Sequence, residues 1–318
     1  MSVPWVPRRS AASVRRMRWS RHMVQAVTAA FVAVVVWRKA VGEAGAASGE
    51  AFCPFGGFET AFTWVTTGRT VSHVHPANLV LAGIVVVLAL ALRGAFCGWL
   101  CPLGSLQGAV HAASRAVVDR VPPLRRARRR WDRGEHRVLR RIDHVARYGR
   151  YLVLAFAVGG AALTGVMVFR EYDPWSALLS IVEFEISLGL VVLVVMLVMA
   201  IVVPRPFCRY ACPLGATIGL IGKASPVAVQ RDADACLGCD LCSRACPMGL
   251  EVHTATRVTD AQCLGCLECV AACPSRDALA VRVSLPMPAV RPHDLPVPPV
   301  DLEAGIPATE TVPEGAVR

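Results

Sequence analysis

Eight cysteines near the C-terminal third constrain this chain more than any other feature. Cys236, Cys239, Cys242 and Cys246 lead into Pro247, and Cys263, Cys266, Cys269 and Cys273 lead into Pro274. Both runs read C-x2-C-x2-C-x3-C-P. A cubane iron–sulfur cluster needs four thiolates converging from different directions, and three of them come from one tight loop with two residues between ligands. The fourth comes from the start of a helix, and where two such runs share a domain it ligates the other cluster. The expected sets are therefore Cys236, Cys239, Cys242 and Cys273 on one cluster, and Cys263, Cys266, Cys269 and Cys246 on the other. Zinc sites built on C-x2-C pairs require neither the third step nor the trailing proline. A disulfide framework would need an oxidising compartment and would strain cysteines this closely spaced.

A small two-cluster domain cannot account for the remaining sequence. The chain has 318 residues, 54% of them hydrophobic, with a mean hydropathy of +0.48. Four apolar stretches stand out: Met23–Trp37, Asn78–Leu92, Tyr151–Phe169 and Ile186–Val203. At about 1.5 Å per residue the last two reach about 27 to 29 Å, close to the thickness of a bilayer core. The first is the weakest, because Arg38 and Lys39 follow it at once; its alternative is a buried core helix. The expected fold is an all-α membrane bundle of four transmembrane helices, made of two duplicated two-helix units, plus a small α+β bacterial two-cluster ferredoxin domain.

Charge orients this bundle. Arg8, Arg9, Arg15, Arg16, Arg18 and Arg21 precede the first span, and fourteen arginines against four acidic residues fall between Arg93 and Arg150. The third and fourth spans are joined by an acidic segment with Glu171, Asp173, Glu183 and Glu185. The positive-inside rule places both termini and the arginine-rich loop in the cytoplasm of a multi-pass bacterial inner-membrane protein. The formal charge of +11 then reflects topology and contact with anionic membrane lipid rather than nucleic acid. The first span reads as uncleaved, since no small-residue cleavage site follows it before Cys53. The domains read as a basic N-terminus (1–22), a first two-span unit (23–104), an arginine-rich loop (105–150), a second two-span unit (151–215), the ferredoxin domain (225–284) and a proline-rich disordered tail (285–318).

Each two-span unit ends in the same motif. Cys97 and Cys101 with Pro102-Leu103-Gly104 are echoed by Cys208 and Cys212 with Pro213-Leu214-Gly215. Both read C-x3-C-P-L-G, the mark of an internal duplication. Spans three and four both intervene, so the two motifs share one side of the membrane. A C-x3-C spacing is expected to put two thiols on one face of a helical turn. Two pairs brought together could hold a third iron–sulfur cluster or another soft metal; a redox-active dithiol or plain structural cysteines are the alternatives. Cys53, in the outer segment Cys53-Pro54-Phe55-Gly56-Gly57-Phe58-Glu59, is a weaker candidate ligand, and its counterpart in the second unit is Asp173-Pro174. His73 and His75 read as an interfacial loop. Glu59, Glu183 and Glu185 read as loop carboxylates, with proton acceptance near the outer interface, for example from a quinol, as the alternative. No nucleophile–base pair is evident, so no catalytic residue is assigned.

The order of these parts resembles the membrane-bound polyferredoxins of periplasmic nitrate reductase systems and the C-terminal half of the nitrous-oxide reductase regulator. The likeness covers roughly residues 20–280, leaving the long arginine loop and the proline-rich tail without a counterpart. It implies an electron-transfer subunit of an oxidoreductase system, not a stand-alone catalyst. Such a subunit passes electrons between cytoplasmic 4Fe-4S clusters and the quinone pool or a periplasmic redox partner protein. An accessory, maturation or redox-sensing role in metalloenzyme assembly is the alternative.

Overall fold

The computed structural model describes residues 11–41, 53–68, 76–133, 137–179, 187–275 and 277–283. His73, His75, Glu183, Glu185, the first ten residues and the tail lie outside the described residues. Helix α1 (Ala11–Ala40) holds the stretch Ala12–Arg38, the one helix among the described residues long and apolar enough to cross a membrane. The weakest apolar run in the sequence thus belongs to the longest helix, because the helix continues through its basic flanks.

Helix α2 (Pro54–Thr67) was not anticipated. Cys53 caps it in an extended conformation, Pro54 starts it, and Gly68 stops it by turning left-handed. It packs against α3 (Pro76–Leu92). Gly57 permits that approach, since a side chain there would lie 2.2 Å from the Asn78 carbonyl oxygen. A π-helical turn, Phe96–Leu100, follows α3.

The arginine-rich segment is not a loop but three helices: α4 (Pro102–Arg120), α5 (Pro122–Arg133) and α6 (Arg137–Ala146). The first is pinned to the bundle by His111 and Ser114, which reach the carbonyls of Ala200 and Ile201 at 3.0 Å each. The third apolar run is shorter than its sequence suggests. Helix α7 (Gly149–Thr164) ends at Gly165, which adopts φ 73°. A 3-10 turn (Val168–Tyr172) and helix α8 (Pro174–Leu179) then fold back. Helix α9 (Leu188–Ala200) starts at Ser187, whose hydroxyl accepts from the Leu190 amide at 3.2 Å. It stops short of Pro204, whose fixed φ cannot continue a helix with its hydrogen bonds intact.

Two short helices, α10 (Pro206–Tyr210) and α11 (Pro213–Ile221), lead to strand β1 (Val227–Arg231). Strand β1 pairs antiparallel with β2 (Leu279–Val283), Val227 facing Val283 and Arg231 facing Leu279. Between them lie α12 (Leu241–Arg244) and α13 (Glu268–Ala272). One core is built from Leu103, Ala157, Phe169, Leu193, Met196 and Phe207. A second joins Val85, Ala89 and Ile218 of the helices to Met248, Leu250 and Leu264 of the sheet domain. Phe58 and Leu214 pack against both.

Candidate iron–sulfur centres

The two cysteine runs fold alike. In each, the residue after the second cysteine is left-handed without being glycine: Asp240 at φ 57° and Leu267 at φ 59°. Gly238 and Gly265, one position before those cysteines, are left-handed as well. Such turns curl the chain back on itself, and non-glycine residues hold them only where their surroundings impose them. The result is two separate recesses. Cys236, Cys239, Cys242 and Cys273 line one; Cys246, Cys263, Cys266 and Cys269 line the other. Cys239 is exposed, and the other cysteines are buried or half-buried. No three His, Cys, Asp or Glu side chains among the described residues converge on a point that would hold a single ion. A cubane places each thiolate on a different iron, so four cysteines lining one recess without such a shared point suit a cluster better than zinc.

The C-x3-C-P pairs also come together. Burial raises the pKa of Cys97, Cys101, Cys208 and Cys212, and repulsion from neighbouring thiols of the group raises Cys97, Cys208 and Cys212 further. The geometry differs from one face of a helical turn. Cys97 and Cys208 lie inside short helical turns, whereas Cys101 and Cys212 are extended caps of the next helices, with ψ 112° and 111°. The Cys212 sulfur accepts from the Gly215 amide at 3.3 Å. A helix start is where a thiolate is best tolerated.

Sequence reasoning missed the cations around this quartet. Arg205 is 5% exposed and donates to the Cys97 carbonyl at 2.9 Å. Its charge favours the thiolates of Cys97, Cys101 and Cys208, and Arg150 adds to that at Cys97. Gln107, fully buried, donates to the Cys208 sulfur at 3.6 Å and accepts from the Phe207 amide at 3.0 Å. A four-thiolate cluster is anionic, and buried cations beside the donor set are what such a group requires. A signal existed. Arg93 and Arg205 precede the first cysteine of each pair, and both are buried and left-handed, at φ 56° and 52°. The first unit has one more residue between arginine and cysteine, and it is the unit that forms the π-helical turn, the local result of a one-residue insertion in a helix.

The ferredoxin run is seated directly on this region. A side chain on Gly98 would lie 2.4 Å from the Leu264 carbonyl oxygen, and the Cys266 backbone is its next neighbour. Trp99 Nε1 donates to the Gly265 carbonyl at 3.1 Å, and Arg93 to the Asp260 carbonyl at 3.3 Å. Helix α1 clamps the same loop: Arg21 donates to the Cys266 carbonyl at 3.2 Å and pairs with Glu268 at 2.6 Å. Cys53 stands apart from both groups, donating instead to Asp173 Oδ2 at 3.9 Å.

Comparison with known proteins matches this division. A family described as "4Fe-4S binding domain" matches residues 74–120 and 187–231, the two halves that carry the C-x3-C-P pairs. A "4Fe-4S dicluster domain" matches residues 228–274. YccM of Escherichia coli (strain K12) is 28% identical over 216 residues, 66% of this chain and 56% of YccM. The ferredoxin-type protein NapH of the same organism is 30% identical over 177 residues, 54% of this chain and 55% of NapH. The regulatory protein NosR of Pseudomonas aeruginosa is 30% identical over 156 residues, 48% of this chain and 20% of NosR. The chain thus spans little more than half of YccM and NapH and a fifth of NosR. No solved structure matches it. The 4Fe-4S binding halves, the dicluster domain on the same polypeptide and relatives such as YccM, NapH and NosR support a membrane polyferredoxin-type family.

Proposed function

We propose that this chain is a membrane-embedded electron carrier with three iron–sulfur centres in series, working as a subunit of an oxidoreductase system. Bound clusters would supply single-electron acceptance and release, at potentials tuned by charge, hydrogen bonding and exposure. The placement of the chain's residues supports one order. The exposed Cys239 marks the recess where a cytoplasmic partner gains access. The Cys246, Cys263, Cys266 and Cys269 recess comes next, and the quartet of Cys97, Cys101, Cys208 and Cys212 follows. One observation carries the reading: the backbone of Gly98, between Cys97 and Cys101, touches the backbone of Leu264 and Cys266. Arg205, Arg150 and Gln107 hold the quartet in a cationic, dry setting.

Four membrane spans belong to the same proposal. Helices α3, α7 and α9 are shorter than α1, yet they too turn large apolar side chains outward: Val80, Ile84 and Val87; Leu152, Phe156 and Leu163; Val191, Val194 and Val195. Apolar surface this extensive needs lipid or protein to cover it. With both termini cytoplasmic, the end of the bundle away from the ferredoxin domain faces the quinone pool or a periplasmic redox protein. An assembly or sensing role is the second reading, favoured by the resemblance to NosR, a regulatory protein by name.

Iron and acid-labile sulfide on anaerobically purified protein, with EPR, test the series. Three cubanes give about twelve irons per chain and two give about eight. Replacing Cys97 or Cys208 with Ser should remove one EPR centre and leave the ferredoxin signals. A value of eight, unchanged by either substitution, would sink the third centre.

A further inference from the structure

Beside the quartet lies a second buried polar group that electron transfer alone does not use. Glu59 is fully buried, and neither of its carboxylate oxygens has a hydrogen-bond partner among the described residues. Thr63 Oγ1, one turn along α2, Asn78 Oδ1 and Trp175 Nε1 are buried and unpartnered too. Glu59, Asp173, Cys53 and Trp175 line one recess, which has room for about one water molecule. An ionised carboxylate cannot stay buried without partners, so Glu59 is held as the neutral acid. Asp173 differs: it accepts from the Trp175 amide at 3.0 Å and from the Cys53 thiol. Burial, then the charge of Asp173, pushes Glu59 up to about 8, whereas Asp173 is raised only to about 6. Two carboxyl groups with separated proton affinities share a site.

Cys53, which donates to Asp173, sits in the same packed core as Cys101 and Cys212 of the quartet, so the charge of Asp173 lies close enough to act on Cys101. Coupling of this kind is reciprocal, so charge added at the quartet acts back on Asp173. We propose that Glu59 and Asp173, with one bridging water, form a proton-loading site whose proton affinity rises when an electron reaches the quartet. The proposal rests on the reading that those four cysteines hold a redox centre. One electron arrives from the reduced ferredoxin clusters and one proton from solvent, forming an O–H bond on the Asp173 carboxylate; oxidation releases both. Arg170, exposed and lining the recess, marks the solvent side. The 3-10 turn also brings Glu171 and Tyr172, and Cys53 faces Asp173 directly. The ionisable side chains of α7, Arg150 and Tyr151, sit at its opposite end, while α3, α8, α9 and α11 carry none.

An EPR-monitored redox titration of the full chain in nanodiscs, repeated from pH 5.5 to pH 9, tests the coupling. The quartet's potential should fall as pH rises, by up to tenfold in its reduction equilibrium per pH unit, about 59 mV. The ferredoxin signals should stay flat. Asp173→Asn should flatten the slope, and Glu59→Gln should shift its window. A redox-difference infrared spectrum should show a protonated-carboxyl band that vanishes in Asp173→Asn. A quartet centre with a pH-independent potential and no carboxyl band would overturn the coupling alone. If no third EPR centre forms, the cluster reading fails and the coupling with it.

Discussion

At the scale of single residues, the quartet depends on a cation contributed across the internal duplication. Arg205 comes from the second half, and its guanidinium reaches the Cys97 carbonyl of the first. Removing it leaves an anionic centre with less compensating charge, which disfavours adding an electron. Arg205→Met should therefore lower the potential of the quartet centre by on the order of 50–100 mV, roughly 1–2 kcal/mol, in a redox titration followed by EPR. The ferredoxin potentials should not move. The spacing of twelve cysteines marked the groups that the fold brings together, two recesses and the quartet, while Cys53 stands outside them. Arg205 and Gln107 were missed: the one signal for Arg205 was its place, like that of Arg93, just before the first cysteine of a pair, and nothing in the sequence marks Gln107 as buried. Glu59 read as a loop carboxylate, with proton acceptance as the alternative; that it lies inside a helix, without partners among the described residues, follows from contacts between α2 and α3 that no local pattern encodes.

At the scale of elements, α6 is tied to the bundle through one carboxylate. Asp143 accepts from Tyr210 at 2.7 Å, from Arg147 and from Arg209, joining α6 to α10. Burial pushes its pKa up, but the hydrogen bonds from Arg209, Tyr210 and Arg147 outweigh it and hold the carboxyl below its usual range. A carboxyl whose folded pKa is depressed stabilises fully above its unfolded value of about 3.9, and that stability drains away as pH falls through the folded value. Asp143→Asn should cost about 1–3 kcal/mol at neutral pH and remove the acid-sensitive part of the melting curve. The seat of the ferredoxin run depends on Gly98 instead. Gly98→Ala places a methyl 2.4 Å from the Leu264 carbonyl oxygen, an overpacking of about 1–3 kcal/mol. Freeze-quench EPR should then show slower transfer from the ferredoxin signals to the quartet signal.

At the scale of the whole molecule, the question is what covers the apolar surface of α1, α3, α7 and α9. Sequence hydropathy placed four runs, but it could not see Gly165 ending α7 early, nor the 3-10 turn that folds back toward Gly160. As a result α7 and α9, at 16 and 13 residues, are shorter than the about 20 residues a bilayer core asks of an untilted helix. Thinning of the bilayer around the bundle, or anchoring by flanking arginines, closes such a gap at modest cost. The two possibilities, lipid or water around α9, make opposite predictions for one substitution. Val195 is 52% exposed on α9. In water, Val195→Arg is an ordinary surface change, within about 0.5 kcal/mol. At the centre of a lipid-facing helix the same arginine costs about 2.5–3.5 kcal/mol. Four-span insertion therefore predicts that Val195→Arg sharply lowers the yield of carbonate-resistant, membrane-inserted protein, whereas Arg120→Glu at the C-terminal end of α4 leaves it unchanged. A Val195→Arg protein recovered from membranes at wild-type yield would mean that α9 does not face lipid.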